Sequence, residues 1–231
     1  MRISVIVPAY REEGLLEQGL LSIRSQSFSD YELIVVVRPA GDRTEEVAKR
    51  YADHVLIQRD KGLGPARNLG ASVAEGDIFL FIDADTLIPR DFLKRVSQLF
   101  EDERVLSVVP RFYVYDRSYR GALSQCLLSL LTRIINKMKF LLYGMMIIVR
   151  RDVFQSLGGF RDVFGEDVDL SLRMGRKYRF NRKLVRYVSS LVAYTSSRRI
   201  QKLGILRAVH LWTYNLMRYW MLGEQFVGYL G

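Results

Sequence analysis

Two aspartates follow a buried-strand pattern in the first half of the chain. Ile78–Ile82 is a continuous apolar run, which is typical of a central strand that is covered on both faces. Asp83 and Asp85 come directly after it, so they are expected at the carboxyl edge of a sheet, where open α/β folds bind ligands. Two carboxylates one residue apart can hold a hard divalent cation and, through it, a diphosphate. The alternative is a polar turn that caps a helix beginning near Arg90.

A second acidic group opens a predicted helix over Glu166–Arg176. The first turn of this helix carries Glu166, Asp167 and Asp169, and its end is basic, as the helix dipole favours. Asp167 lies in the first turn of this helix, where the dipole favours the charged form of its carboxyl. Asp169 and Arg173 are four residues apart, which predicts a structural ion pair on one face of the helix.

Strand-like and helix-like segments alternate along the first 110 residues. Besides Ile78–Ile82, the strand patterns are Ile3–Val7, Leu33–Val37 and Val55–Ile57, and the helical patterns are Glu12–Ser25, Thr44–Tyr51 and Ala66–Ala74. Such β-α repeats with apolar strands predict an α/β fold with a mainly parallel sheet and helices on both faces. Met145–Val149 is a further buried strand, and Leu157–Phe160 is a turn.

Composition limits the classes of site that the chain can hold. The 231 residues include one cysteine and two histidines, which excludes an intrachain disulfide and a Cys/His zinc cluster. Residues 1–110 carry 14 Lys/Arg and 18 Asp/Glu, a net charge of −4. Because the whole chain has a net charge of +10, residues 111–231 have a net charge of +14. A basic half indicates anionic partners. The N-terminus runs directly into a strand pattern, which predicts no signal peptide and a cytoplasmic protein.

Two amphipathic helices are predicted in the basic half, over Tyr119–Phe140 and Leu203–Leu222. Both have wide apolar stripes with cationic flanks, and no segment is long and uncharged enough to predict a transmembrane span. Six cations without an acid among them lie within residues 176–186. These features predict peripheral contact with the cytoplasmic face of a membrane, with ordinary core packing as the alternative. The apolar stripes suit lipid better than a nucleic acid, so no nucleic-acid partner is expected.

Five motifs together resemble glycosyltransferase family 2, whose members are inverting enzymes of the GT-A fold. Each motif alone is weakly specific, but the five occur in order at sensible spacings across residues 3–200. They are Ser4–Tyr10 with Glu12-Glu13, Ala66–Gly70, Phe81–Thr86 with its Asp-x-Asp, Arg150–Phe154 followed by Gly158–Phe160, and Gly165–Leu170 with Arg173.

The resemblance implies a role for each motif residue. Asp85 would bind Mn²⁺ or Mg²⁺, Asp83 would contact the ribose or the metal shell, and Asp167 would be the general base. Expected nucleotide-sugar contacts are Pro8, Ala9, Tyr10, Glu12, Arg67, Asp83, Arg198 and Arg199. Expected residues of the acceptor and sugar pocket are Gly144, Gly159, Phe160 and Glu166. The partners would be a nucleotide-sugar donor and a lipid-linked or polyprenyl-phosphate acceptor.

The sequence departs from the family pattern where the nucleobase is read. Many relatives carry two acids after the second strand, one of which recognises uracil, and here those positions are Val37 and Arg38. Arg11 stands where the first loop usually has an asparagine. A GDP-mannose donor and a UDP-sugar donor are therefore both open.

Two other functions remain as alternatives. A nucleotidyltransferase with a similar sheet needs a glycine-rich triphosphate loop, and residues 8–13 contain no glycine. A non-catalytic, membrane-bound scaffold would not need the acids at positions 83, 85 and 167. The predicted division of the chain is a nucleotide-sugar-binding half over 1–118, an acceptor-side half over 119–200 and a C-terminal amphipathic helix over 201–231. The oligomeric state stays open.

Overall fold

The computed structural model describes residues 1–115, 145–163, 165–179, 184–196 and 198. Strands and helices alternate from the first strand to Ile82, as the sequence pattern predicts. The strands are β1 (Ile3–Ala9), β2 (Tyr31–Val37), β3 (His54–Ile57), β4 (Ile78–Ile82), β5 (Thr86–Leu87), β6 (Ser107–Val114), β7 (Met146–Arg150) and β8 (Val185–Thr195). The helices are α1 (Leu16–Arg24), α2 (Thr44–Tyr51), α3 (Leu63–Val73), α4 (Phe92–Leu99), α5 (Arg151–Ser156) and α6 (Glu166–Tyr178).

All eight strands form one mixed sheet in the order β3-β2-β1-β4-β7-β6-β8-β5. The first four strands in this order are parallel, as expected. Beyond β4 the sheet changes character, because β7 is antiparallel to both β4 and β6, and β5 is antiparallel to β8. The predicted mainly parallel sheet is therefore correct for one half of the sheet and becomes mixed in the other.

The parallel half brings several strand ends to one edge of the sheet. β1 pairs along its whole length with β2, from Ile3 opposite Tyr31 to Ala9 opposite Val37, and β4 lies on the other side of β1. The chain thus moves outward from β1 to β3 and then returns to β4, so the strand order reverses between β1 and β4. In open α/β sheets this reversal point is where a ligand crevice forms.

Aromatic rings fill the core under β4. All five residues of β4 are buried, and the Phe79 and Phe81 rings pack against Phe154 at centroid distances of 5.6 and 5.0 Å. Phe160 packs edge-on against Phe81 at 5.0 Å. The acceptor-side segment 153–160 is therefore part of the same hydrophobic core as the central strand.

Most predicted elements are present with shifted ends. β4 and α2 have the predicted bounds, α1 begins at Leu16 instead of Glu12, and α3 begins at Leu63 instead of Ala66. Pro65 fits within α3 because the first turn of a helix does not use its N–H groups for internal bonds. Two long strands, β6 and β8, were not predicted.

The two predicted amphipathic helices lie outside the described residues. Within the described part of the chain, no helix has the length and apolar content needed to cross a membrane. Two cations of the basic run have partners inside the protein: Lys177 donates to the Ser156 carbonyl, and Arg186 pairs with Asp102. The division at residues 118 and 200 stays a prediction.

Gly70 offers a direct test of how α3 packs on the sheet. A Cβ at this position would overlap Cγ2 of Ile6 and lie 3.2 Å from Cγ2 of Val36, both of which belong to the core. We expect Gly70→Ala to lower the free energy of unfolding by about 1–3 kcal/mol, because overpacking forces core side chains and backbone to shift.

Gly14 is the matched control, because a Cβ there would meet no atom within 4 Å. Gly14→Ala should change the stability by less than about 0.5 kcal/mol in urea unfolding. Equal stability of Gly70→Ala and the wild type would contradict the close packing of α3 on β1 and β2.

Candidate active site

Two guanidinium groups lie near the ring of Tyr10, which directly follows β1. The Arg38 backbone N–H donates to the Ala9 carbonyl at 3.0 Å, which continues the β1–β2 ladder to the edge of the sheet. The Arg38 guanidinium lies 4.5 Å from the centre of the Tyr10 ring, and that of Arg11 lies 5.3 Å from it. The Tyr10 side chain is 41% exposed, so one aromatic surface with two cations faces outward beside the predicted crevice.

Glu12 and Arg198 meet across the same edge although 186 residues separate them. The Arg198 guanidinium donates to both carboxylate oxygens of Glu12, at 2.5 and 2.6 Å. The Glu12 backbone N–H donates to the Thr44 hydroxyl at 3.0 Å, which fixes the loop after β1. Two predicted nucleotide-sugar contacts are therefore neighbours. Arg199 and Gly144, which were also predicted, lie outside the described residues.

Asp83 and Asp85 occupy a tight turn at the end of β4. The Asp83 N–H donates to the Met145 carbonyl at 3.1 Å, and the Thr86 N–H donates to the Asp83 carbonyl at 3.0 Å. Both aspartates are partly buried. Among the described residues, no group of three or more His, Cys, Asp or Glu side chains forms a potential metal site. The two carboxylates of Asp83 and Asp85 fit Mg²⁺ or Mn²⁺, because these ions keep several water or phosphate ligands beside one or two carboxylates.

Arg67 lies fully buried between the two acidic motifs. Its Nη1 donates to Oε1 of Glu166 at 2.7 Å, its Nη2 donates to Oδ1 of Asp83 at 3.1 Å, and its guanidinium lies 5.4 Å from the Phe160 ring centre. The side chain is 0% exposed. Its predicted contact with a diphosphate stays a prediction; in this conformation the guanidinium is engaged by two carboxylates.

The side-chain amide of Asn68 forms two hydrogen bonds with the acceptor-side turn. Its Nδ2 donates to the Phe160 carbonyl at 2.8 Å, and its Oδ1 accepts from the Phe160 N–H at 2.9 Å. Gly159 is needed beside it, because φ is +70° and a Cβ there would lie 2.7 Å from Asn68 Oδ1. Asn68 was not predicted as a site residue. Its position beside Arg67, within the Ala66–Gly70 motif, is the feature of the sequence that could have indicated this role.

Gly62 and Gly64 at the start of α3 pack closely against residues 161 and 162 of the acceptor-side segment. A Cβ on Gly64 would lie 2.7 Å from the Arg161 carbonyl oxygen, and one on Gly62 would lie 2.7 Å from Oδ1 of Asp162. The Phe160 ring itself is only 4% exposed. A direct sugar contact of Gly159 or Phe160 stays a prediction, and the geometry gives both a packing role.

Asp167 is a buried carboxyl at the start of α6. Gly165, in the left-handed conformation, turns the chain into this helix, and the Asp167 side chain is 6% exposed. Burial, with the neighbouring Glu166 charge, raises the pKa of Asp167 to about 7. The start of the helix favours the charged form, as expected, but desolvation by burial outweighs that effect. A carboxyl with a pKa near 7 is suited to general-base catalysis at neutral pH.

The predicted ion pair on α6 is confirmed. Arg173 Nε donates to Oδ2 of Asp169 at 2.8 Å, and Arg173 Nη2 lies 2.8 Å from the same oxygen. It also donates to the carbonyls of Leu157 and Gly159, at 2.5 and 2.8 Å. Arg173 therefore holds α6 against the acceptor-side turn, which is a structural role.

The comparison with known families decides the classification of the chain. The sequence pattern of glycosyl transferase family 2 matches residues 4–158, more than half of the chain. The chain belongs to glycosyltransferase family 2. Among curated family relatives, EpsJ of Bacillus subtilis, described as an uncharacterized glycosyltransferase, is 33% identical over 116 residues, which cover 48% of this chain and 34% of EpsJ.

Other relatives also match over part of their length. The glycosyltransferase GlyA of Streptococcus pneumoniae is 30% identical over 122 residues, 51% of this chain and 18% of GlyA. In both curated relatives, the matched stretch thus covers about a third or less of the protein.

Two solved enzyme structures confirm the fold. The mannosyltransferase PcManGT of Pyrobaculum calidifontis superimposes with a TM-score of 0.69 at 23% identity, over 84% of this chain and 56% of PcManGT. Glucosyl-3-phosphoglycerate synthase of Mycobacterium tuberculosis gives 0.66 at 23% identity, over 90% and 76% of the two chains. The predicted GT-A fold is confirmed.

Burial of the Asp167 carboxyl predicts a cost in stability. The folded protein favours protonated Asp167, so the contribution of this residue to stability is most favourable below the ordinary carboxyl pKa of about 4 and is lost as the pH rises towards 7. We expect Asp167→Asn to be more stable than the metal-free wild type at pH 8, by about 2–4 kcal/mol, with the difference shrinking at pH 5. Urea unfolding in EDTA at both pH values measures this.

Asp152 on α5 provides the control, because this carboxylate is exposed. Asp152→Asn should show no comparable pH-dependent gain. A variant Asp167→Asn that is no more stable than the wild type at pH 8 would show that Asp167 carries no buried charge there.

Proposed function

We propose that this protein transfers a sugar from a nucleotide-sugar donor to an acceptor, with inversion at the anomeric carbon. The observation that carries the proposal is the buried link from Asp83 through Arg67 to Glu166. It supports one site in which a pair of carboxylates suited to a metal diphosphate lies near a carboxyl with the pKa of a general base. A metal-assisted inverting sugar transfer uses both groups at one site.

The donor's nucleoside is assigned to the edge formed by the ends of β1 and β2. Tyr10 supplies an exposed ring on which a base can stack, and Arg38 and Arg11 flank it with hydrogen-bond donors. PcManGT was solved with GDP-Man and Mn²⁺, and Staphylococcus aureus TarS with UDP-GlcNAc. A GDP-sugar and a UDP-sugar are therefore both candidate donors. Arg198, which Glu12 holds at this edge, is the proposed partner of the diphosphate.

Asp85, with Asp83 beside it, is assigned to hold Mn²⁺ or Mg²⁺. The turn after β4 fixes the backbone of both aspartates, and Arg67 orients the Asp83 carboxylate through Oδ1. When bound, the cation would neutralise the negative charge of the departing nucleoside diphosphate. The neighbour structures that contain Mn²⁺ favour this metal.

Asp167 is assigned as the general base. The acceptor hydroxyl oxygen attacks the anomeric carbon from the face opposite the diphosphate, and the bond from that carbon to the diphosphate oxygen breaks with its electron pair. Asp167 takes the hydroxyl proton as the new bond forms. Its raised pKa favours this transfer near neutral pH, because a base is most effective when its pKa lies near the working pH.

The acceptor is proposed to be lipid-linked, such as a polyprenyl phosphate or a growing lipid-linked glycan at a membrane surface. Two features of the sequence alone support a lipid-linked acceptor. They are the net charge of +14 over residues 111–231 and two amphipathic helical patterns outside the described residues. A phosphate acceptor is already nucleophilic near neutral pH, so its transfer would need Asp167 for orientation only.

The metal assignment predicts donor binding that depends on Asp85. With Mn²⁺ and a donor at about 100 times its Kd, we expect the melting temperature of the wild type to rise by about 5–10 °C. A panel of UDP-, GDP- and dTDP-sugars identifies the nucleobase of the donor. Asp85→Asn should lose most of the Mn²⁺-dependent part of this rise, because one of the two carboxylate ligands is gone.

Asp91 is the matched control, because this exposed aspartate lies six residues further along the chain. Asp91→Asn should behave as the wild type does. Full Mn²⁺-dependent stabilisation of Asp85→Asn would remove Asp85 from the metal site.

The base assignment predicts a specific kinetic loss. With a hydroxyl acceptor, Asp167→Asn should lower kcat by about 10²- to 10⁴-fold and leave the donor KM nearly unchanged. The wild-type kcat/KM should rise with pH through about 7, because Asp167 must be deprotonated to accept the proton. With a phosphate acceptor the loss should be small. A large loss of donor binding in Asp167→Asn would instead indicate a structural role.

A further inference from the structure

Arg67 connects two acids that are far apart in the sequence. Asp83 lies 16 residues after it and Glu166 lies 99 residues after it, and both accept a hydrogen bond from the same guanidinium. A cation with no solvent exposure is costly to bury, and it is retained only with good geometry toward opposite charges. Both carboxylates belong to segments that the proposed reaction uses, so this placement links the donor edge to the base helix.

We infer that Arg67 is a positioning residue, which sets the place of the base Asp167 relative to the donor edge and balances the Glu166 charge beside that base. The inference rests on the proposed function, in which Asp167 takes the acceptor proton and Asp83 lies at the donor edge. It gives Arg67 no contact with the reacting atoms.

The geometry explains why an arginine performs this task. Nη1 and Nη2 of one planar guanidinium each donate to a different carboxylate, so the plane fixes the directions of both bonds. The Phe160 ring covers the guanidinium, and Asn68, the next residue on α3, holds the Phe160 backbone from both its N–H and its carbonyl. A lysine has the charge but presents a single nitrogen without the planar fork.

Two charges act on the Asp167 carboxyl in opposite directions. Glu166, its neighbour on α6, favours protonation of Asp167, and Arg67, from α3, favours its ionised form. Asp169 on the same helix is paired with Arg173 and with Arg161. Removal of Arg67 and removal of the Glu166 charge should therefore move the titration of Asp167 in opposite directions, which a purely structural role for Arg67 would not do.

Carboxyl ¹³C NMR of Asp167 tests the electrostatic part without any need for turnover. Relative to the wild type, Arg67→Met should raise the titration midpoint of Asp167 by about one pH unit and Glu166→Gln should lower it by about as much. The double variant should lie between the two. Midpoints that stay at the wild-type value in both single variants would overturn the inference. If Arg67→Met does not fold, Arg67→Gln, which is also uncharged but can still donate hydrogen bonds, gives the comparison with Glu166→Gln.

Kinetics test the positioning part. Arg67→Lys should lower kcat by roughly 10- to 100-fold with a smaller change in the donor KM, because a displaced base loses reactive geometry. The pH at which kcat/KM rises should move in the same directions as the NMR midpoints. A wild-type kcat in Arg67→Lys would overturn the inference. Absence of turnover in the wild type would count against the proposed function, while the NMR result would still decide the electrostatic role.

Arg150 supplies a matched control. This arginine is partly buried, donates to the carbonyls of Val105 and Phe100 at 2.7 and 2.6 Å, and lies opposite Ile78, at the other end of β4 from Asp83. Arg150→Lys should lower stability but leave the Asp167 midpoint and the pH profile in place. A shift of either in Arg150→Lys would mean that loss of any buried arginine perturbs Asp167, which would overturn the specific role of Arg67.

Discussion

A buried guanidinium joins the two acidic segments of this protein. Arg67 is held between Asp83, at the end of the central strand, and Glu166, at the start of helix α6. Removing one partner of such a buried group leaves an uncompensated charge, which typically costs about 3–5 kcal/mol. The place of helix α6 relative to the acid pair at the sheet edge is thus set by a contact that is costly to break from one side, and the Asn68 contacts to Phe160 support it.

The sheet topology explains why this link is possible. Four parallel strands bring the ends of β1, β2 and β4 to one edge, and β7, antiparallel to β4, begins at the same edge. The Met145 carbonyl can therefore accept from Asp83 where the acceptor-side segment returns to the sheet. Helix α3 lies against β1 and β2, so Arg67 on this helix reaches both Asp83 after β4 and Glu166 on α6.

Local patterns predicted the parts of the fold that depend on neighbouring residues. The apolar run of β4 and the Asp169–Arg173 pair are visible in the sequence because burial and helical spacing are local properties. β6 was missed because Pro110 interrupts its apolar pattern at a shift in register, and β8 because its pattern includes several polar residues and follows a basic run. The burial of Arg67 was missed for a different reason: its carboxylate partners are distant in sequence, and arginines are seldom fully buried.

The stereochemistry of donor hydrolysis tests the central claim most directly. Sugar nucleotides with an α-linked sugar should be consumed slowly in Mn²⁺ even without acceptor, because water can take the place of the acceptor hydroxyl. Time-resolved ¹H NMR should show that the sugar is first released as the β-anomer, and that its release stops in Asp167→Asn. First release of the α-anomer, or consumption that continues unchanged in Asp167→Asn, would contradict an inverting reaction with Asp167 as its base.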